Sequence, residues 1–312
     1  MRTALQPGSR LLLGGVEYTI EAVEGSGSSA VVYRAAYEDA LNRGALHRVL
    51  IKELFPLSAQ GGIERAPDGG VVCTGPGLAV MEEAKRRFLM GNQVNLELLA
   101  GRPEATAGNL NSFDARGTYY SVLSLHGGES LLRALDSRGR FHLREAAGVM
   151  LRLLGALAVF HRRGLLHLDI RAEQIHLLPG RRLFLDNCRA LDMERPEEDG
   201  LPRALGPCAA PELRLMNLAA LDRASDIFSC CALLYRMLLG RPLTDAELMG
   251  TGLARELRQS LARAQELPDA RADELARLLW RGLHLLPQRR FSSARELLGL
   301  VSGLRGGIEA DA

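Results

Sequence analysis

Strand-type and helix-type patterns are segregated along this chain of 312 residues, and that segregation restricts the fold more than any other feature. Before about residue 125, apolar residues alternate or run in short β-branched and aromatic stretches: "EYTIEAVE" (17–24), "AVVYRAAY" (30–37), "HRVLIKEL" (47–54) and "GTYYSVLSL" (117–125). Between them, "GGIERAPDGGVVCTG" (61–75) reads as a small hairpin turning at Asp68-Gly69. Residues 81–99 carry Phe88, Leu89, Val94, Leu96, Leu98 and Leu99 at helical spacing. After "HGGES" helical periodicity takes over. Residues 143–163 place Met150, Leu153, Leu154, Leu157 and Phe160 on one face. Two short apolar runs, "QIHLL" and "RLFLD", flank the turn Pro179-Gly180. Helical patterns follow at 226–239 and 272–285, and a last helix starts at "SSAREL", where Ser293 and Glu296 have capping-box spacing. Strands in one run and helices in another predict an α+β fold. It comprises a small β-rich lobe with one helix (about 10–124), a hinge (about 124–127), a larger α-helical lobe (about 128–305) and a short tail (306–312). No internal repeat and no low-complexity segment is found.

Composition excludes several classes of function. With 47% hydrophobic and 24% charged residues the chain can fill a core of ordinary size. A net charge of +2 on 34.0 kDa gives no footprint for nucleic acid or an anionic membrane. The longest apolar runs, such as "VMLRLLGALAVF", are interrupted by Arg152 and too short to span a bilayer. The opening "MRTALQPGSR" has no apolar centre of the signal-peptide kind. Five cysteines without C-x-x-C spacing argue against a zinc site and a disulfide framework, and suit a reducing cytoplasm. The arginines of the helical part (Arg271, Arg277, Arg281, Arg289) read as a solvated face.

Seven motifs then occur in order. They are "GSGSSAVVY", "VLIK", "HLDIRAEQ", "LDN", "AAPE" (209–212), "SDIFS" (225–229) and "PQRRFSSARELL". From about Gly14 to Leu304 this order resembles the eukaryotic-like Ser/Thr protein kinase family, including its bacterial members. The resemblance implies a bilobal protein-kinase-like fold, ATP with Mg²⁺ or Mn²⁺ as cofactor, and a protein substrate or partner.

It also assigns roles. Gly25 and Gly27, with Val32, would lie over the nucleotide, although Ala30 stands in place of the third loop glycine. Lys52 would reach the α- and β-phosphates. Aligned on Phe88, the helix that normally supplies a Glu to that lysine carries Gly91 and "GNQ", and Glu82, Glu83 and Glu97 lie about two turns away. Asp169 would accept the substrate hydroxyl's proton. Arg171 keeps the charge of the family's lysine in a planar guanidinium. Leu168 replaces the arginine that reads a phosphorylated activation segment, and residues 186–212 contain no Ser, Thr or Tyr. Phosphorylation of that segment is therefore excluded as a switch. Metal ligands would be Asp186 and Gln174, the latter an amide one methylene longer than the family's Asn. Asn187 and Cys188 replace the Phe and Gly of D-F-G. Around adenine, Leu50 replaces a small Ala above the base and His176 lies below it, either stacking on the purine or filling space. Leu123 is the gatekeeper, and Ser124 to His126 form the hinge. Leu205 stands where Ser/Thr kinases have a Thr near the catalytic Asp.

These departures predict a degenerate member, a pseudokinase or weakly active kinase acting as a regulatory or scaffolding module. Two alternatives stay open: an active Ser/Thr kinase with Asp169 as base, and a kinase-fold enzyme with another acceptor.

Overall fold

The computed structural model describes residues 3–27, 29–39, 42, 44–59, 61–101, 109–124, 128–185, 191–192 and 205–310. At 98–101, 109–110, 181, 191–192 and 305–310 only the backbone is described. The chain divides into two compact units. One holds Met1–Gly101 with Ala107–Gly127, and the other Arg102–Thr106 with Gly128–Ala312.

The N-terminal unit is built on an antiparallel sheet in the order β1-β2-β3-β4-β8-β7. Its strands are β1 (Arg10–Leu13), β2 (Val16–Ser26), β3 (Ala30–Glu38), β4 (Leu46–Leu54), β7 (Asn109–Ala115) and β8 (Thr118–Ser124). A separate hairpin, β5 (Ile63–Arg65) and β6 (Val71–Cys73), and helix α1 (Pro76–Gly101) connect β4 to β7. The hairpin reverses through Gly69, at φ 83°, as the Asp68-Gly69 signal requires. Two strands escape the sequence patterns. β1 is very short, but Gly14 and Gly15, at φ 57° and 84°, form the tight turn that folds it onto β2. β7, "NLNSFDA", is rich in residues that strands disfavour, and only its ladder with β8 makes it one.

Alternation splits β4 between the two faces of the sheet. Tyr33, Ile51, Tyr120 and Val122 belong to the buried core cluster, together with Leu11, Leu13, Met81 and Phe88. Glu53 shares that face and is wholly buried. Its carboxylate accepts two hydrogen bonds from Arg65 on β5, both 2.6 Å, and one each from Tyr33 Oη (2.7 Å) and Tyr120 Oη (2.8 Å). Burial, and then the negative Glu53, push both tyrosine hydroxyls well above their ordinary range, so they stay donors. The apolar stripe of α1 differs from the pattern. Phe88 and Val94 face inward, whereas Leu89 and Leu96 are exposed, and Asn92 and Asn95 take buried positions.

The C-terminal unit is helical. After β9 (Glu129–Ser130) come α2 (Leu131–Arg138), α3 (Leu143–Arg162) and β10 (Leu165–Leu166). Next are β11 (Ile175–Leu178), β12 (Arg182–Leu185) and β13 (Leu191–Asp192). Helices α4 (Pro211–Arg214), α5 (Arg223–Leu239), α6 (Asp245–Met249), α7 (Leu253–Gln265), α8 (Asp269–Gly282) and α9 (Ala294–Ala310) complete it. β11 and β12 pair antiparallel around Gly180, at φ 72°. α3 is the central element, with Met150, Leu153, Leu154, Leu157 and Phe160 buried against α5 and α9. α5 starts at a capping box, where Asp222 accepts from Ala224 N–H and Ser225 Oγ accepts from Asp222 N–H. α2 is an element the sequence reading lacks, although Ser130 caps it and Gly139 ends it. At α9, Ser293 Oγ accepts from Glu296 N–H, while the Glu296 carboxylate turns to Ser292 instead. The last helix enters the stretch that the sequence reading set apart as a tail (306–312). α9 continues to Ala310, because "RGGIEA" has no Pro, and a helical Gly costs only about 1 kcal/mol.

One buried ion pair ties α4 to the segment before α9. Glu212 on α4 accepts from Arg290 Nη1 (2.7 Å) and Nη2 (2.9 Å) and from Ser225 Oγ (2.7 Å). Burial raises the Glu212 pKa, but Arg290 and Ser225 outweigh it and hold the carboxyl below the usual range. Replacing Arg290 by Met strands this carboxylate, and the expected loss is about 3–5 kcal/mol, read from the urea midpoint. The double variant Glu212→Gln with Arg290→Met should lose less; an equal or greater loss would refute the stranded-charge account. A carboxyl with a lowered folded pKa contributes stability present above its unfolded pKa and lost as pH falls through the folded value. Acid unfolding of Glu212→Gln should accordingly be flatter below about pH 4.5 than that of the parent.

Candidate active site

Within the N-terminal unit, register brings the glycine-loop and lysine residues into one row. Gly25 lies opposite Val32, Val32 opposite Lys52, Lys52 opposite Ser121, and Ser121 opposite Ser112. Directly opposed residues share a face, so this row lies on the sheet face away from Glu53. Leu50 and Leu123 form the neighbouring pair on that face, followed along the strands by Ser124 opposite Val49. Lys52 is buried. Neither Gly25 nor Gly27 has a positive φ, and a Cβ at Gly25 would meet nothing within 4 Å. The described fold does not require glycine at either position, and the bare backbone leaves that face open. His126 lies outside the described residues.

In the C-terminal unit the loop after β10 is positioned by Asp226, the fourth residue of α5. This carboxylate is 0% exposed. Oδ1 accepts from Leu168 N–H (2.7 Å), and Oδ2 accepts from His167 N–H (2.9 Å) and from His161 Nε2 (2.9 Å). Burial alone would raise the Asp226 pKa, yet His161 and the backbone donors keep it below the ordinary value. Leu168 sits at φ 56°, a left-handed conformation costly for a bulky residue. Its side chain is buried, as an arginine's would not readily be. The twist brings Asp169 N–H onto His167 Nδ1 (3.2 Å), and His167 packs edge-on against Phe160.

Asp169 thereby presents its carboxylate beside the short turn 172–174. Arg171 Nε lies 2.8 Å from Oδ1, and Gln174 Nε2 donates to Oδ2 at 3.1 Å. An ionised carboxylate only accepts, so it is the amide nitrogen of Gln174 that faces it. A cavity of about 10 Å³ adjoins Asp169, lined by Arg171, Leu205, Gly206, Ala209 and Ser229 among others. That is room for one water-sized group. Leu205 and Gly206 continue into an open depression of about 400 Å³ bordered by Pro207, Arg214, Leu243, Thr244 and Asp245. Leu205 and Asp169 thus line the same small cavity. His176 on β11 packs against Phe184, with ring centroids 5.8 Å apart.

Asp186, Asn187 and Cys188 lie outside the described residues, as does most of the segment up to 204. Among the described residues no cluster of three or more His, Cys, Asp or Glu suits a metal ion, and no helix is long and apolar enough to cross a membrane. Gln174, the other candidate ligand, would offer a cation its Oε1 while Nε2 rests on Asp169. Sequence reasoning missed Asn92, Ser112 and Ser121. Asn92 Nδ2 donates to Ser112 Oγ (3.2 Å) and Ser121 Oγ donates to Asn92 Oδ1 (2.8 Å). The available signal was the pair Asn92 and Asn95 on the apolar stripe of a helix.

An antiparallel sheet bearing a glycine loop and a buried lysine, and a helical unit bearing a pinned His-x-Asp loop, define the protein kinase class. Comparison with known sequences agrees. The protein kinase domain model matches residues 108–299. CBL-interacting protein kinase 22 of Oryza sativa subsp. japonica is 32% identical over 259 residues, 77% of this chain and 52% of that protein. Serine/threonine-protein kinase PknA of Mycobacterium tuberculosis is 28% identical over 127 residues, 40% of this chain and 29% of its own. Calcium-dependent protein kinase 8 of Arabidopsis thaliana is 27% identical over 195 residues, 60% and 35% of the two chains. The chain belongs to the protein kinase family. It spans about half the length of the rice relative and less of the others.

The Asp226 contacts carry a test. Asp226→Asn keeps the shape but removes the charge and one acceptor oxygen, with an expected loss of about 2–4 kcal/mol. Hydrogen exchange at the His167 and Leu168 amides should accelerate beyond that of α5. Unchanged protection at these two amides would rule out the pinning role.

Proposed function

We propose that this chain is a kinase-family module with lost or reduced phosphoryl transfer, which works by binding a protein partner in a regulatory or scaffolding role. In this reading it retains the capacity to take ATP with Mg²⁺ or Mn²⁺ and resides in a reducing cytoplasm, where the buried thiols of Cys208, Cys230 and Cys231 stay unpaired.

The observation that carries it is the state of Asp169. Both carboxylate oxygens are engaged, Oδ1 by Arg171 and Oδ2 by Gln174. A general base must accept a hydrogen bond from the hydroxyl it deprotonates. Here a substrate hydroxyl competes with a charge-assisted contact from Arg171 and an amide donor from Gln174. Gln174 adds a second handicap, because its longer stem displaces the amide oxygen from where an asparagine would hold it. Positioning supplies most of the catalysis in phosphoryl transfer, so small displacements are costly.

The nucleotide reading rests on retained residues. Lys52 would contact phosphates, the bare backbone at Gly25 and Gly27 would admit them closely, and Asp186 with Gln174 would hold the cation. When bound, the cation neutralises charge developing on the transferred phosphoryl group. The depression that begins at Leu205 would seat a partner segment beside Asp169.

Two measurements test the proposal together. ATP with Mg²⁺ or Mn²⁺ should raise the melting temperature of the parent and not of Asp186→Ala. Transfer of the γ-phosphate to generic protein substrates should be at background and indifferent to Asp169→Ala. Robust labelling abolished by Asp169→Ala would overturn the proposal in favour of an active Ser/Thr kinase.

A further inference from the structure

The inward face of α8 is complete without its tryptophan. Leu275, Ala276, Leu278 and Leu279 are buried, whereas Trp280, the one tryptophan of the chain, is 46% exposed. A single exposed apolar residue means little, but a group of neighbouring ones marks an interaction surface. Trp280 is not isolated. Its ring meets that of His284 edge-on, with centroids 5.9 Å apart. Leu285 and Leu286 come next in the chain, and both are exposed.

This group is held in place. His284 Nδ1 accepts from Leu286 N–H (3.0 Å). The carbonyls of His284 and Leu285 accept from Arg290 Nε (2.7 Å) and Nη2 (3.0 Å), and Arg290 is the buried partner of Glu212. Shortly after Glu212, Leu215 and Met216 are exposed too, so large apolar side chains emerge from both segments that this pair ties together. A surface whose backbone is already fixed loses little freedom when a partner binds.

Its rim is basic. Of the four arginines that the sequence reading set on a solvated face, Arg271 contacts Glu274 (3.4 Å) and Arg281 contacts Glu296 (2.7 Å). Arg277, one turn before Trp280, and Arg289, three residues after Leu286, are exposed and form no ion pair among the described residues. Burial, and then Arg289 and Arg290, hold the His284 pKa below its ordinary value, so the imidazole is neutral at pH 7 and Arg289 lies within electrostatic reach of it. An aromatic and aliphatic centre with unpaired cations at its edge matches an apolar anchor flanked by carboxylates.

We propose that Trp280, His284, Leu285 and Leu286, between Arg277 and Arg289, form a docking surface for a partner protein, which presents an acidic segment bearing a large apolar side chain. This surface shares no residue with the depression that begins at Leu205. It is independent of whether phosphoryl transfer is retained.

A displayed library of random peptides would be depleted on a Trp280→Ser, Leu286→Ser double variant and then selected on the full chain. Both side chains are exposed, so the double variant should keep the parent's urea midpoint. If it does not fold, Arg277→Glu with Arg289→Glu takes its place in the depletion. Enriched peptides should be acidic and carry a Leu, Phe or Trp. Titrated into the full chain, they should shift the Trp280 emission to the blue. Trp280→Ala should weaken their binding roughly thirtyfold, as truncation of an interface anchor does. Arg277→Ser with Arg289→Ser should weaken it less and flatten its dependence on salt. Failure to find any peptide that separates the parent from the depletion variant would overturn the proposal, as would enriched peptides without net negative charge. Sedimentation in which the parent self-associates and the double variant does not would overturn it as well, because the occupant would then be a second copy of the chain.

Discussion

Asp226 is the constraint on which the C-terminal unit's chemistry depends. The sequence 165–169 must turn sharply after β10 so that Asp169 is presented rather than paired in a strand. That turn places Leu168 at a positive φ, a conformation a leucine does not keep unaided. Two backbone N–H groups exposed by the turn would be buried and unsatisfied without an acceptor, and the Asp226 carboxylate satisfies both. His161 on α3 fixes the carboxylate in turn, so the loop is referenced to two of the unit's most buried helices. The Glu212–Arg290 pair performs the same service one layer away, linking α4 to the segment before α9. Such pairs contribute little as net attraction, but each makes any alternative arrangement expensive, because it would strand a buried charge.

In the N-terminal unit the decisive separation is between Lys52 and Glu53. Adjacent residues of a strand point to opposite faces. The lysine falls on the row that carries Gly25, Val32 and Ser121, while the glutamate falls among Tyr33, Tyr120 and Arg65. Proximity in sequence therefore says nothing about partnership here. The glutamate cluster ties β5 to the main sheet, and Arg65 also donates to the carbonyl of Thr3, so it holds the N-terminal segment down as well. Asn92 of α1 belongs to the lysine side of this division through its bond from Ser121.

The fold was legible where local patterns are strong. β2, β3, β4, β8, α1 and α3 follow from alternation or helical spacing, and the hairpins at Asp68-Gly69 and Pro179-Gly180 from turn chemistry. The kinase motifs named the residues that face one another across strands or along the pinned loop. β1 and β7 were hidden because the first is too short for a pattern and the second is polar, so each exists through its neighbour's ladder. α2 was signalled only by a Ser cap and a closing Gly. Spacing along α1 set Leu89 and Leu96 beside Phe88 as equals. Only packing shows that they face outward while Asn92 and Asn95 face in.

By itself, the sequence determined the class of fold and the order of its longer elements, and it singled out Lys52, Asp169, Arg171 and Gln174 as candidates. These rest on short-range periodicity and on motifs a few residues long. Tertiary structure decided what those residues touch. Gln174 turns its amide to Asp169, Leu168 is buried in a left-handed bend, and Ser121, opposite Lys52 in the ladder, donates to Asn92. The physical reason is range. Hydrogen-bond partners such as Asp226 and His167, or Asn92 and Ser121, are separated by 59 and 29 residues along the chain. No local propensity encodes a contact over that distance, and it exists only once the cores of the two units have set the register and the helix faces.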